Sequence, residues 1–191
     1  QAISDPQVLA IKQTIYRTGA NSVLMDLLRE AVRRGKEVTV VLELKARFDE
    51  EVNINWAEQL ESIGVQVLYG VVGLKTHAKM MLVTRREGRH FRRYAHLSTG
   101  NYNPATARFY TDLSHLTADT GLTADIEHGF VHLAGQGRLP RLKHLWVAPF
   151  QLHRKLAFPM VGLVMPMLAV PFSFIVARRG ALYGIGIAIV I

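Results

Sequence analysis

At 191 residues the chain is expected to hold one domain, or one domain with an appendage. Its 23 Lys and Arg against 15 Asp and Glu give a formal net charge of +8, and Cys is absent, which excludes disulfides and thiolate metal sites. The positive balance suits a polyanionic partner such as nucleic acid, polyphosphate or nucleotide, or else a solvated basic surface.

Val8 to Tyr16 reads as a strand, with Leu9, Ile11 and Ile15 on one period-2 face and Arg17 at its carboxyl end. Thr18-Gly19-Ala20-Asn21-Ser22 reads as a turn with a helix-capping residue. Leu24, Leu27, Leu28, Ala31 and Val32 follow the spacing of an amphipathic helix, which Gly35 stops. A second strand covers Val38 to Leu44, and a polar loop, 45–49, carries Arg47. A second helix is expected from about Ile54 to Ile63, with Asn53 as its cap and Gly64 as its stop. Val65 to Tyr69 is a third strand. This β-α-β-α-β order implies parallel strands joined by right-handed crossovers.

The pattern then changes. His77 to Arg85 and Phe91 to Leu97 are strands flanking Arg86–His90, the spacing of a hairpin. Asn103-Pro104 reads as a cap with Pro at the first helical position. Leu113 to Leu116 is a further strand, and Ile126 to Leu133 is helical. Leu156 to Ala177 is a run of uncharged residues long enough, as a helix of roughly 33 Å, to cross a bilayer. It contains Pro159, Pro166 and Pro171, which membrane helices tolerate better than soluble ones. Arg178 and Arg179 are the only charges from Leu156 onward, so the first 155 residues carry the other 21 bases and all 15 acids. The chain opens on Gln1 with no Met, as expected of a piece of a longer protein, and no signal peptide is visible.

The sharpest local feature is Lys75-Thr76-His77-Ala78-Lys79. His77 and Lys79 stand two apart, and in a strand they project from one face. A nucleophilic imidazole beside a fixed cation suits phosphoryl transfer, with the His attacking phosphorus and the Lys neutralising its oxygens. Downstream, Ser98-Thr99-Gly100-Asn101-Tyr102-Asn103 offers small residues for close backbone approach and the Asn101 and Asn103 amides as donors to phosphate; a plain turn with a cap is the competing reading. Arg17 and Arg47 each follow a parallel strand, where open α/β sheets place their ligands, and could clamp phosphates.

His-x-Lys followed by Gly-Asn-x-Asn resembles the phospholipase D superfamily, although Met80–Thr84 supplies no Asp after the Lys, which argues against a phosphodiesterase. Longer strings resemble the polyphosphate kinase family: Ile11–Arg17, Glu43–Glu50, Gly73–Lys79, Thr99–Asn103 and Thr106–Asp112, within about residues 5–155. The resemblance implies an α/β, phospholipase D-like domain with a mixed, mostly parallel sheet flanked by helices, over residues 1–155. It implies reversible transfer of the terminal phosphate of ATP to polyphosphate, with His77 phosphorylated, Lys79 beside it and Tyr110 contacting the nucleotide. Arg17 and Arg47 match positions associated with Mg²⁺. Because Arg cannot ligate a cation, they are read as holding the phosphates that hold it.

The family implies oligomers, ATP and polyphosphate as partners, no nucleic acid, and a cytoplasmic catalytic part. Its full chain adds a second phospholipase D-like domain that completes the site, and His96, His115 and His128 do not fit that domain's motif, so this chain alone is expected to hold half a site that binds phosphate weakly and catalyses poorly. From about Leu152 the chain resembles the membrane segments of the lipopolysaccharide-export permease family, carried by Arg178–Gly186. Residues 156–191 are thus expected to be a transmembrane-like tail. A phosphodiesterase and a non-catalytic membrane-anchored fragment are the alternatives.

Overall fold

The computed structural model describes residues 1–17, 22–44, 50–70, 75–135 and 141–145, all within the unit Gln1–Leu145. Arg47 and the expected tail, 156–191, lie outside the described residues.

Six strands form one sheet: β1 (Val8–Ile15), β2 (Glu37–Leu42), β3 (Gln66–Leu68), β4 (Lys79–Glu87), β5 (His90–Ser98) and β6 (Ser114–Thr117). Their order is β3-β2-β1-β4-β5-β6. Helix α1 (Val23–Arg33) links β1 to β2, and α2 (Glu50–Glu61) links β2 to β3. Both of these pairs are parallel, as their crossovers require. The remaining pairs, β1·β4, β4·β5 and β5·β6, are antiparallel. The expected mostly parallel sheet is therefore corrected. The sheet is mixed, with antiparallel pairs in the majority among the described residues, because β4 enters beside β1 rather than extending the β3 edge.

The sheet is covered on both faces. Ile11 and Ile15 of β1, with Val38, Val40 and Leu42 of β2, pack against Met25, Leu28 and Ala31 of α1 and Trp56, Ala57 and Leu60 of α2. On the other face Val41, Met80, Leu82 and Ala95 meet Ile126 and Phe130 of α3 (Thr120–Leu133). β1 is central and buries both faces, which is why its alternation is blurred by the buried Gln13 and Thr14.

Several local expectations shift. The buried face of α1 is Met25–Leu28–Ala31, and Leu27, counted on the apolar stripe, is 45% exposed. α2 begins at Glu50, so Asn53 is not its cap but a buried residue of its first turn. α3 begins six residues before Ile126. Asp119 is its cap, its carboxylate accepting the Leu122 N–H at 2.7 Å. The hairpin loop tightens to Gly88-Arg89, with Glu87 opposite His90 and Gly88 at φ +60°, the left-handed backbone a two-residue hairpin needs. After Asn103-Pro104 comes only a 3₁₀ turn, Thr106–Arg108. No helix among the described residues is long and apolar enough to cross a membrane.

Candidate phosphate site

The carboxyl end of β1 and the amino end of β4 meet at one edge of the sheet. Antiparallel entry of β4 beside β1 brings His77 back to Arg17 across 60 residues of sequence. Thr14 fixes the junction. Its hydroxyl donates to the Ala78 carbonyl at 2.6 Å and accepts the Met80 N–H at 3.0 Å. The segment carrying His77 is thus tied to the strand that ends in Arg17.

β4 starts at Lys79, so His77 lies just before the strand rather than within it. The two side chains still meet. Lys79 Nζ lies 2.9 Å from Nε2 and 3.1 Å from Nδ1 of His77. Tyr16 packs edge-on against His77, with ring centroids 5.0 Å apart. Its ring also faces the two cations, 5.6 Å from the Arg17 guanidinium carbon and 5.3 Å from Lys79 Nζ. Tyr16 is a site residue that the sequence reading passed over, and its position next to Arg17 was the available signal.

The electrostatics follow from this crowding. Partial desolvation of the ring against its neighbours lowers the His77 imidazole below its usual pKa although the residue is largely exposed, and the Lys79, Arg17 and Lys75 charges push it the same way. The ring is therefore a neutral base at pH 7. Burial also pushes Lys79 down to about 8, with Asp112 opposing and Arg17 adding to the shift. Asp112 is the second residue passed over, although it closes the string Thr106–Asp112. It stands against the start of the Gly-Asn-x-Asn segment, accepting from the Thr99 hydroxyl at 3.3 Å. A Cβ at Gly100 would overlap its carboxylate, so any larger residue there would displace Asp112 from this position.

The other sequence candidates divide. Asn103 Oδ1 accepts the Ala105 N–H at 2.9 Å, so the turn-and-cap reading describes that oxygen. Asn101 keeps a shielded Oδ1 with no hydrogen-bond partner among the described residues. Tyr110 is 69% exposed, and its phenol makes no hydrogen bond or ring contact among the described residues. Nearby, His96 Nδ1 and the Tyr102 hydroxyl are 2.9 Å apart; burial lowers the first and raises the second.

A polar hub holds the edge together. Asn53, with no solvent exposure, donates through Nδ2 to the Tyr16 carbonyl at 3.1 Å and the Glu43 carbonyl at 2.9 Å. Those carbonyls lie just past the ends of β1 and β2. The buried Glu43 carboxylate in turn accepts the Thr76 N–H at 2.7 Å, one residue before His77. Asn53→Ala is expected to cost about 1–3 kcal/mol by leaving two carbonyls short of donors. It should also shift the His77 ring resonances. Urea unfolding and NMR of the imidazole check the two halves; an unchanged His77 environment would reduce Asn53 to a stabilising role.

Among the described residues no group of three or more His, Asp or Glu could hold a metal ion. The side chains closest to His77 are cationic or aromatic, a set that attracts phosphate and repels a bare cation. A cleft between α1 and α2, lined by Ser22, Asp26, Arg29 and Trp56 among others, contains none of these site residues.

The sequence profile described as "Polyphosphate kinase C-terminal domain 1" matches residues 1–138. A polyphosphate kinase from Burkholderia vietnamiensis is 60% identical over 160 residues, covering 82% of this chain and 23% of that protein. One from Paraburkholderia phytofirmans is 59% identical over the same length. The chain thus spans about a quarter of the length of these curated relatives. The crystal structure of a polyphosphate kinase from Porphyromonas gingivalis aligns with TM-score 0.64 and 39% identity, covering 74% of this chain and 24% of that one. A phospholipase D family member, Nuc from Salmonella typhimurium, aligns with TM-score 0.56 and 17% identity, covering 73% and 86% of the two chains. That similarity bears on the fold alone.

Proposed function

The chain belongs to the polyphosphate kinase family, and from that premise we propose that its residues 1–155 form a phosphotransfer domain working through a phosphohistidine at His77. The observation that carries this reading is Lys79 Nζ within 3.1 Å of both His77 ring nitrogens, with Arg17 across the shared Tyr16 ring. A neutral imidazole supplies the lone pair, and two cations wait where phosphoryl oxygens would lie.

In the proposed step an imidazole nitrogen forms a bond to the terminal phosphorus of ATP. The bond from that phosphorus to the bridging oxygen breaks, and ADP leaves with the electron pair. The phosphoryl group then passes to the end of a polyphosphate chain, and both steps run in reverse. Lys79 and Arg17 balance charge that develops on the phosphoryl oxygens. Arg47, which lies between β2 and α2 in sequence, is proposed as a second clamp, Tyr110 as a nucleotide contact, and Asn101 and Asn103 as donors to phosphate. Mg²⁺ would enter on the nucleotide's own phosphates, because the described side chains around His77 do not suit a resident cation.

Incubation of the full chain with γ-labelled ATP tests the reading. The expected product is protein-bound label that acid removes and base does not. Absence of any such label from the folded chain, also when the rest of a full-length relative is supplied in trans, would overturn it. Residues 156–191 are proposed as a membrane-associated segment of permease-like character attached to a cytoplasmic catalytic part. Full-length protein that remains monomeric without detergent would refute that assignment.

A further inference from the structure

The β4–β5 hairpin carries its own concentration of charge, at the end of the sheet away from His77. Arg85, Arg86, Arg89, Arg92 and Arg93 fall within nine residues, with Glu87 as their only acid. Ion pairing consumes one of the five. Arg85 donates to Asp5 at 2.8 Å and to Glu87 at 3.1 Å. Glu87 also accepts the Tyr94 hydroxyl. Among the described residues Arg86, Arg89, Arg92 and Arg93 have no ion pair. Arg93 Nε is shielded from solvent and has no acceptor among the described residues.

The register makes this arrangement costly. Arg92 stands directly opposite Arg85, and like charges in that position destabilise an antiparallel pair. Asp5 and Glu87 offset that repulsion at Arg85, which leaves the charge of the other four arginines for an external anion. The geometry also limits the partner. Arg92 shares a sheet face with Arg85, Arg93 projects from the opposite face across from Thr84, and Arg89 sits in the turn itself. The cations therefore surround a narrow convex tip rather than line a groove. A flexible polyanion can wrap such a tip, whereas duplex DNA, with a persistence length of about 150 bp, cannot.

We propose that Arg86, Arg89, Arg92 and Arg93 make the hairpin tip a second holding site for a linear polyphosphate chain, separate from the His77 site. The inference rests on the phosphotransfer reading for the identity of the polyanion. β4 runs from Lys79 to Glu87, so the tip lies roughly 26 Å along the strand from the chemistry. A chain whose end is at His77 can reach it only when it is long. The tip thus distinguishes long polyphosphate from short and keeps a growing chain close between transfers.

The test compares binding of long-chain polyphosphate, tripolyphosphate and a charge-matched poly(dT) to the full chain. The proteins are the wild type, His77→Ala, and a variant with Ala at positions 86, 89, 92 and 93. The quadruple variant should lose at least tenfold in affinity for long-chain polyphosphate, with the slope of log K against log salt falling by about 3. Its affinity for tripolyphosphate should be unchanged, and His77→Ala should keep the long-chain site. Removing Arg92 relieves a repulsion, so the variant should fold. Arg89→Glu, a single change at the exposed turn, should by itself weaken long-chain binding several-fold.

Unchanged long-chain affinity in both hairpin variants, with tripolyphosphate still bound, overturns the hairpin site and leaves the His77 reading standing. Equal loss of long and short chains shows that the tip is not separate from the His77 site and also overturns it. Poly(dT) bound as tightly as polyphosphate, and lost in the same variants, would make the tip a single-strand nucleic-acid surface using the exposed Phe91. A wild type that binds neither polyphosphate defeats both readings.

Discussion

Replacing His77 by Ala is expected to reduce acid-labile, base-stable labelling from γ-labelled ATP to background. His77 has a cation against both ring nitrogens, with the Arg17 guanidinium facing the same Tyr16 ring. His96 pairs with a tyrosine instead. Because His77 is exposed and precedes β4, its loss should move the unfolding free energy by no more than about 0.5 kcal/mol. Loss of label therefore cannot be ascribed to unfolding. Label that persists in the variant would move the phosphorylated residue elsewhere.

Lys79→Met is expected to separate stability from function. Burial holds the ammonium at a cost, shown by its depression to about 8. Below pH 8 the lysine is charged in both folded and unfolded chains, and the folded state bears the full penalty. Between about 8 and its unfolded value of 10.5 the unfolded chain binds more protons, so wild-type stability rises with pH across that window. At pH 7 the methionine variant should thus melt higher, by a few degrees for roughly 1 kcal/mol. That advantage should shrink as pH rises from about 8 to 10.5 and be absent above it. Labelling should fall sharply in the same variant, since the nearest charge to the imidazole is gone. In the wild type, labelling needs neutral His77 and charged Lys79, so its rate should decline as pH rises through about 8. Thermal unfolding at two pH values and a labelling profile check both; a variant that melts lower at pH 7 would show that Lys79 is well accommodated as a cation.

The residues that were legible in the sequence are those whose signal is local. The first three strands and two helices follow from alternation, helical spacing and the glycines that end each helix. The placement of β4 is different in kind. Nothing near residues 79–87 says that they will lie antiparallel to β1, so a β-α-β-α-β opening was extended into a mostly parallel sheet. The start of α3 was missed because Thr120, Gly121 and Thr123 are weak helix formers, and the signal was the single cap at Asp119. Within the site, His77, Lys79 and Arg17 were visible from residue type and position. Tyr16, Asp112, Glu43 and Asn53 act through contacts to segments from 10 to 63 residues away, and tertiary structure alone reveals such contacts.

The central position of β1 also has a consequence during synthesis. Gln13 pairs with Val40 on one side but with Met81 on the other. A ribosome adding about 5–20 residues per second would complete the second partner roughly 3–14 s after β1 emerges. Through that interval one edge of β1 offers unpaired N–H and C=O groups with Ile11 and Ile15 beside them, a template for any other strand nearby. The nascent chain is thus most vulnerable to intermolecular pairing before the edge that carries His77 exists, and arrival of β4 ends that vulnerability and assembles the site in one event.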